Sequence, residues 1–186
     1  MTLREILDLN QWGNTIVSQG TDKNTTHPYV DRFYETELTR YRDQPVAVLE
    51  LGVFCGASVH LWHEYFSQGT IVGLDLVDAV LPEHRSLPRA QYLFRDAYHP
   101  GIFPDTQQFD IIIDDGPHTF ESQIWAMEFY LPHLAPGGLF VIEDVQNTYY
   151  PAVFHKLVPP SYQSETIDLR PYGRGHMDIL FVVRRP

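Results

Sequence analysis

The chain of 186 residues has one cysteine, Cys55, so no disulfide can form within it, and a small apolar filler is the expected role of that side chain. Basic residues are also scarce. Thirteen Lys and Arg stand against 24 Asp and Glu, a net charge of −11, which excludes a diffuse affinity for phosphate backbones or anionic lipid. Nucleic acid and membranes are therefore not expected partners. There is no apolar run long enough to span a bilayer, no export-type leader, no internal repeat and no low-complexity tract. These absences lead us to expect a soluble, cytoplasmic protein with one domain over residues 1–186. Its composition, 44% hydrophobic and 13% aromatic, suits a core that buries roughly 70% of the unfolded surface.

Apolar residues at helical spacing predict helices over 3–12 and 29–42, the second through Tyr29, Phe33, Leu38 and Tyr41 with Pro28 near its first turn. Between them, "SQGTDKNTTH" (18–27) reads as a polar loop, and residues 1–45 together form an N-terminal helical and loop region. Short apolar runs ending in acids then alternate with helical stretches. "VAVLELG" (46–52) precedes a helix with Val59, Trp62 and Phe66 inward; "TIVGLDL" (70–76) and "AQYLFRDA" (90–97) follow. "FDIIIDD" (109–115) leads into a helix carrying Ile124, Met127, Leu131 and Leu134, and "GGLFVIED" (137–144) is a fifth strand. Near-continuous apolar strands alternating with helices predict an α/β fold with a parallel sheet covered on both faces. "SETIDLR" (164–170) and "MDILFVVRR" (177–185), joined by "PYGRGH" (171–176), predict an antiparallel C-terminal hairpin and seven strands in all.

Ligands of open α/β sheets bind outside the carboxyl ends of the strands. Glu50, Asp75, Asp96, Asp114, Asp115, Glu143 and Asp144 all fall at that edge. Any one of them could be an ordinary cap or turn residue, but seven together point to a site. Glu50, Gly52 and Gly56 form E-x-G-x-x-x-G, in which glycines let a ligand approach the backbone at a helix N-terminus. Asp75 follows at the interval of an acid meant for ribose hydroxyls. The pattern departs from the dinucleotide fingerprint and favours S-adenosylmethionine, which carries no diphosphate.

Asp115, Glu143 and Asp144 are candidate ligands of a Mg²⁺ ion, which would relieve the repulsion of three carboxylates. His118, three residues beyond Asp115, is a candidate general base. On a continuing strand Asp114 and Asp115 face opposite ways, so Asp114 is assigned to the cofactor side or to a supporting position. The remaining histidines, His27, His60, His63, His99, His133 and His155, show no convincing metal spacing, a nitrogen-rich zinc site is disfavoured beside so many carboxylates, and Arg170, Arg174 and His176 read as solvated.

The segments "TDKNTTHPY", "LELGVFCGAS", "IVGLDL", "FDIIIDDGPH" and "LFVIEDVQNTYYP" resemble the metal-dependent, S-adenosylmethionine-dependent sugar O-methyltransferases of macrolide biosynthesis, the mycinamicin and tylosin deoxysugar enzymes. The likeness covers roughly residues 18–151. It implies a class I, Rossmann-like methyltransferase fold, Mg²⁺ on Asp115, Glu143 and Asp144, and His118 as base toward a sugar hydroxyl. By the same resemblance the loop around Lys23 covers the cofactor, with Lys23 facing its carboxylate. The expected cofactor-binding set is thus Lys23, Glu50, Gly52, Gly56, Ser58, Asp75, Asp96 and Asp114. Pro117 stands where the family carries serine. The macrolide enzymes are longer and have an extra N-terminal domain that helps build their tetramer and acceptor pocket. A homodimer or monomer is the expectation here, and macrolide specificity is not carried over.

Two other readings stay open at this level. One is a catechol-type O-methyltransferase, with Trp125, Tyr149 and Tyr150 lining an aromatic acceptor pocket. The other is a cofactor-binding module without catalysis.

Overall fold

The computed structural model describes residues 1–12, 20–24, 26–173 and 177–186. Arg174 and His176 lie outside the described residues, as does part of the 18–27 loop.

Thr2 opens α1 (Leu3–Asn10) with a capping box to Glu5, and Leu3, Ile6 and Leu7 form its buried face. The second helical region is continuous but mixed: a π-helical stretch (Val30–Tyr34), α2 (Glu35–Leu38) and a 3₁₀ turn (Thr39–Tyr41). It buries Tyr29, Phe33, Leu38 and Tyr41, the four residues whose spacing predicted it. Then come β1 (Ala47–Leu51), α3 (Ala57–Tyr65), β2 (Thr70–Asp75), α4 (Pro82–Arg85), β3 (Ala90–Phe94) and β4 (Phe109–Asp114). The chain ends with α5 (Phe120–Tyr130), β5 (Leu134–Ile142), α6 (Tyr150–Leu157), β6 (Gln163–Asp168) and β7 (Ile179–Arg184).

The strands form one sheet in the order β3-β2-β1-β4-β5-β7-β6, parallel from β3 to β5 and antiparallel across β7 and β6. This is the Rossmann-like methyltransferase arrangement, with the strand order reversing direction between β1 and β4. Successive side chains of each strand feed opposite faces. Val48, Ile111, Ile113, Leu139, Val141, Leu180 and Val182 join α1, α3 and the 30–41 region on one face. Leu49, Leu51, Ile112, Phe140, Ile142, Phe181 and Val183 join α5 and α6 on the other. No described helix is long and apolar enough to cross a membrane.

Two expectations need correcting. Leu134 begins β5 and is not on the preceding helix, because Pro132 cannot continue an α-helix and the chain turns through a 3₁₀ stretch, Leu131–His133. Helix α6 had no counterpart in the sequence reading. Pro151 sits in its first turn, where the missing N–H costs nothing, and Phe154 is its fully buried anchor.

Candidate active site at the carboxyl edge of the sheet

β1 and β4 approach so closely at their ends that a Cβ on Gly52 would lie 2.1 Å from the carbonyl oxygen of Asp115. Gly52 also has φ +82°, so glycine is required there on both counts. Pleat phase then decides which acids meet. Glu50 pairs in register with Ile113, and Ile113 with Val141. Counting by twos from these positions puts Glu50, Asp115 and Glu143 on the α3 face.

Lys23 fills the space between those three. Its Nζ is 2.7 Å from Asp115 Oδ2, 2.6 Å from Glu143 Oε2 and 3.6 Å from Glu50 Oε1. The lysine is 1% exposed, and burial alone would discharge it; Asp115, Glu143 and Glu50 outweigh burial and hold the ammonium charged. Tyr34 Oη donates to Glu143 Oε1, and Ser58 Oγ donates to Glu50 Oε2 at 2.8 Å. Burial raises the proton affinity of Asp115 and Glu143 against the pull of Lys23, and pushes Glu50 up to about 7.

A second group opens from the other side of Asp115. His118 Nε2 lies 3.9 Å from Asp115 Oδ1 and 3.7 Å from Asp144 Oδ2, and ligating atoms of the three residues lie within 4.8 Å of one another. His118 (φ +57°) and Asp144 (φ +52°) both occupy the left-handed region that non-glycine residues avoid. Such conformations cost on the order of 1–3 kcal/mol and gather at functional sites. Tyr29 Oη donates to Asp144 Oδ1, and burial together with that carboxylate raises the phenol pKa. His27 Nδ1 contacts Asp178 Oδ1 and stands 3.5 Å from Asp144 Oδ1. Nδ1 of His118 has no hydrogen-bond partner among the described residues. Two carboxylates with an open side suit a hard cation, which takes oxygen ligands and keeps places for water or substrate oxygens.

Asp115, which the two groups share, borders a cavity of about 650 Å³, within the usual range of small-molecule sites. Of the expected cofactor residues, Gly52, Ser58, Asp75 and Asp96 line it, as do Asp115 and His118. Lys23, Glu50, Gly56 and Asp114 are not among the residues that line it. Asp75 Oδ2 accepts from the backbone N–H groups of Val53 (2.9 Å) and Phe54 (3.0 Å), tying the β1–α3 turn to β2. Asp96 Oδ1 accepts from Tyr98 N at 2.9 Å. Asp114 takes a 2.6 Å hydrogen bond from Tyr98 Oη, and burial pushes its carboxyl up to about 7. Leu76 and Val77 give the cavity an apolar side.

Three placements differ from expectation. Lys23 is set among the acids and does not face the cavity, because three buried carboxylates claim its charge. Glu143, taken for a metal ligand, turns to Lys23 and Tyr34 and stands apart from the open group, in which His118 lies beside Asp115 and Asp144. Trp125 and Tyr149 are exposed, Tyr150 packs on Phe120, and none of the three lines the cavity. The sequence reading also passed over Tyr29, Tyr34, Tyr98 and His27. Only the density of polar and aromatic residues in "TDKNTTHPY" hinted at the first and last of these.

Fold and site define a class: a Rossmann-like α/β domain with a cofactor-sized cavity at the strand-order reversal and an acid- and histidine-bearing rim. A family described as "Methyltransferase domain" matches residues 49–145, just over half of the chain, and the chain belongs to it. The chain is 35% identical over 144 residues to the 8-demethyl-8-alpha-L-rhamnosyl tetracenomycin-C 2'-O-methyltransferase of Streptomyces olivaceus, covering 72% of this chain and 37% of that protein. It is 34% identical over 129 residues to the demethylmacrocin O-methyltransferase of Streptomyces fradiae, covering 63% and 32%. Among solved structures, MycE methyltransferase from the mycinamycin biosynthetic pathway, in complex with Mg and SAH, superposes with a TM-score of 0.65 at 30% identity, over 82% of this chain and 42% of that one. A further structure of that enzyme also holds mycinamycin VI. The chain thus spans about a third of the length of these curated relatives.

Proposed function

We propose that this domain transfers a methyl group from S-adenosylmethionine to a hydroxyl of a sugar or glycosylated small molecule, with a divalent ion, Mg²⁺ by preference, at the open acid group. The observation that carries the reading is the convergence of Asp115, His118 and the buried Asp144, with Asp115 and His118 lining a cavity also walled by Gly52, Asp75 and Asp96. One named relative is the 2'-O-methyltransferase of a rhamnosyl tetracenomycin, which supports the acceptor class.

The cofactor supplies an electrophilic methyl carbon, and the ion supplies positive charge that lowers the pKa of a hydroxyl beside it. The chain's own residues do the rest. Asp75 at the end of β2 is placed to accept from ribose hydroxyls, and Asp96 extends that polar wall. Asp115 and Asp144 would hold the ion, with Glu143 kept out of the ligand set by Lys23 and Tyr34. His118 Nε2, facing both carboxylates, receives the hydroxyl proton. Tyr29 fixes the Asp144 carboxylate, and His27 with Asp178 supports it from behind.

Isothermal titration with S-adenosylmethionine, followed by tritiated-methyl transfer to a panel of rhamnosides and other vicinal-diol glycosides, tests the proposal. Cofactor binding and transfer that stops in EDTA and returns with Mg²⁺ are expected. No cofactor binding, or transfer indifferent to chelation, would refute it.

A further inference from the structure

A different cluster lies on α3, away from the cavity. His60, His63 and Glu64 stand at i, i+3 and i+4, which places them on one face of the helix. Glu64 Oε1 is 3.7 Å from His60 Nε2 and 3.5 Å from His63 Nδ1, and the three donor atoms lie within 4.8 Å of one another. His63 Nδ1 is shielded from solvent and has no hydrogen-bond partner among the described residues. Burial, with His84 and Arg89 nearby, lowers the pKa of both imidazoles, so the neutral, ligating form prevails near pH 7.

The second layer around this cluster is also built. His60 Nδ1 lies 2.9 Å from Nδ1 of His84 on α4, a spacing that requires one shared proton. With His60 as donor, its Nε2 lone pair points free toward Glu64, the way supporting groups orient metal-bound imidazoles. Trp12 lies over both rings, at centroid distances of 4.5 Å from His60 and 5.3 Å from His84. The opposing charge is the guanidinium of Arg89, held on the carbonyls of His63, Phe66 and Gly69.

We propose that His60 Nε2, His63 Nδ1 and Glu64 form a second metal site, selective for an imidazole-preferring transition ion of the zinc class, with solvent at the fourth position. Two nitrogens and one carboxylate oxygen suit Zn²⁺ or Co²⁺ and disfavour Mg²⁺, the reverse of the Asp115–Asp144 group. Glu64, the most exposed of the three, is the side from which the ion enters. Once bound, the ion would tie α3, through His60 and His84, to α4 and to Trp12 just beyond α1, so its role is a structural clamp. The inference is independent of methyl transfer.

The test is competition for Zn²⁺ between the full chain and a chromophoric chelator under saturating Mg²⁺, with Co²⁺ absorption reporting nitrogen ligation. One equivalent should bind the parent and the Asp144→Asn variant alike. Affinity should fall at least about tenfold in His63→Gln and in Glu64→Gln, the latter at an exposed position that tolerates the change. Zn²⁺ should raise the Tm of the parent and not that of Glu64→Gln. Equal binding by parent and Glu64→Gln, or binding lost only in Asp144→Asn, would overturn the proposal.

Discussion

Asp115 belongs to two neighbourhoods that differ in almost every physical respect. On one side Glu50 and Glu143 enclose Lys23, with Tyr34 and Ser58 taking up further lone pairs, and the side chains are almost wholly buried. On the other side His118 Nε2 stands 3.9 Å from Asp115 and 3.7 Å from Asp144, His118 and Asp144 hold left-handed backbone, and Asp115 and His118 line a cavity. The closed side holds Lys23 among three acids, while on the open side Asp144 meets the imidazoles of His27 and His118 and the phenol of Tyr29. A row of acids at a strand edge therefore does not equal a ligand set: the pleat sorts them by face, and an internal lysine neutralises one face.

Removing the internal cation should have the largest effect on the fold. Lys23→Met leaves three buried carboxylates without their partner and should cost about 3–5 kcal/mol in urea unfolding. Adding Glu143→Gln should recover part of that loss, since it removes one stranded charge. A double variant no more stable than Lys23→Met would break the distinction between the two sides.

On the open side, His118→Gln should lower kcat about 10²–10⁴-fold without loss of divalent-ion binding, measured by methyl transfer and by ion titration of the same sample. Parent-level turnover would remove His118 from the proton path.

The pH dependence of the closed side gives a smaller, signed effect. Glu50 is raised from about 4.5 to about 7 in the folded chain, so the fold binds its proton more readily than the unfolded chain does. That stabilisation is complete below about pH 4.5 and is lost as pH rises through about 7. Glu50→Gln cannot titrate, so its stability relative to the parent should improve by at most about 3 kcal/mol between those limits. An unchanged difference across chemical melts at pH 4.5 to 8 would mean that Glu50 is not held protonated by burial.

Much of the fold was legible. Apolar runs ending in acids located β1, β2, β4 and β5, and the tail was read as the hairpin that became β6 and β7. The helix boundary at Leu134 was missed although Pro132 marks it, and α6 was missed because one buried aromatic, Phe154, anchors it in place of a full apolar stripe. Within the site, the alternation that separated Asp114 from Asp115 applies equally to Glu143 and Asp144, and it would have set Glu143 beside Glu50. The partner of those acids was not legible, because Lys23 comes from a polar loop and reaches Glu143 across 120 residues of chain. The positive φ at His118 and Asp144 was also hidden, since neither residue type announces it as glycine would.

The most direct test of the open and closed division is Mn²⁺ binding followed by electron paramagnetic resonance in two variants of adjacent residues. Asp144→Asn should abolish the bound-ion signal, while Glu143→Gln, whose carboxylate serves Lys23, should keep it. Loss of the ion in Glu143→Gln with retention in Asp144→Asn would contradict the account.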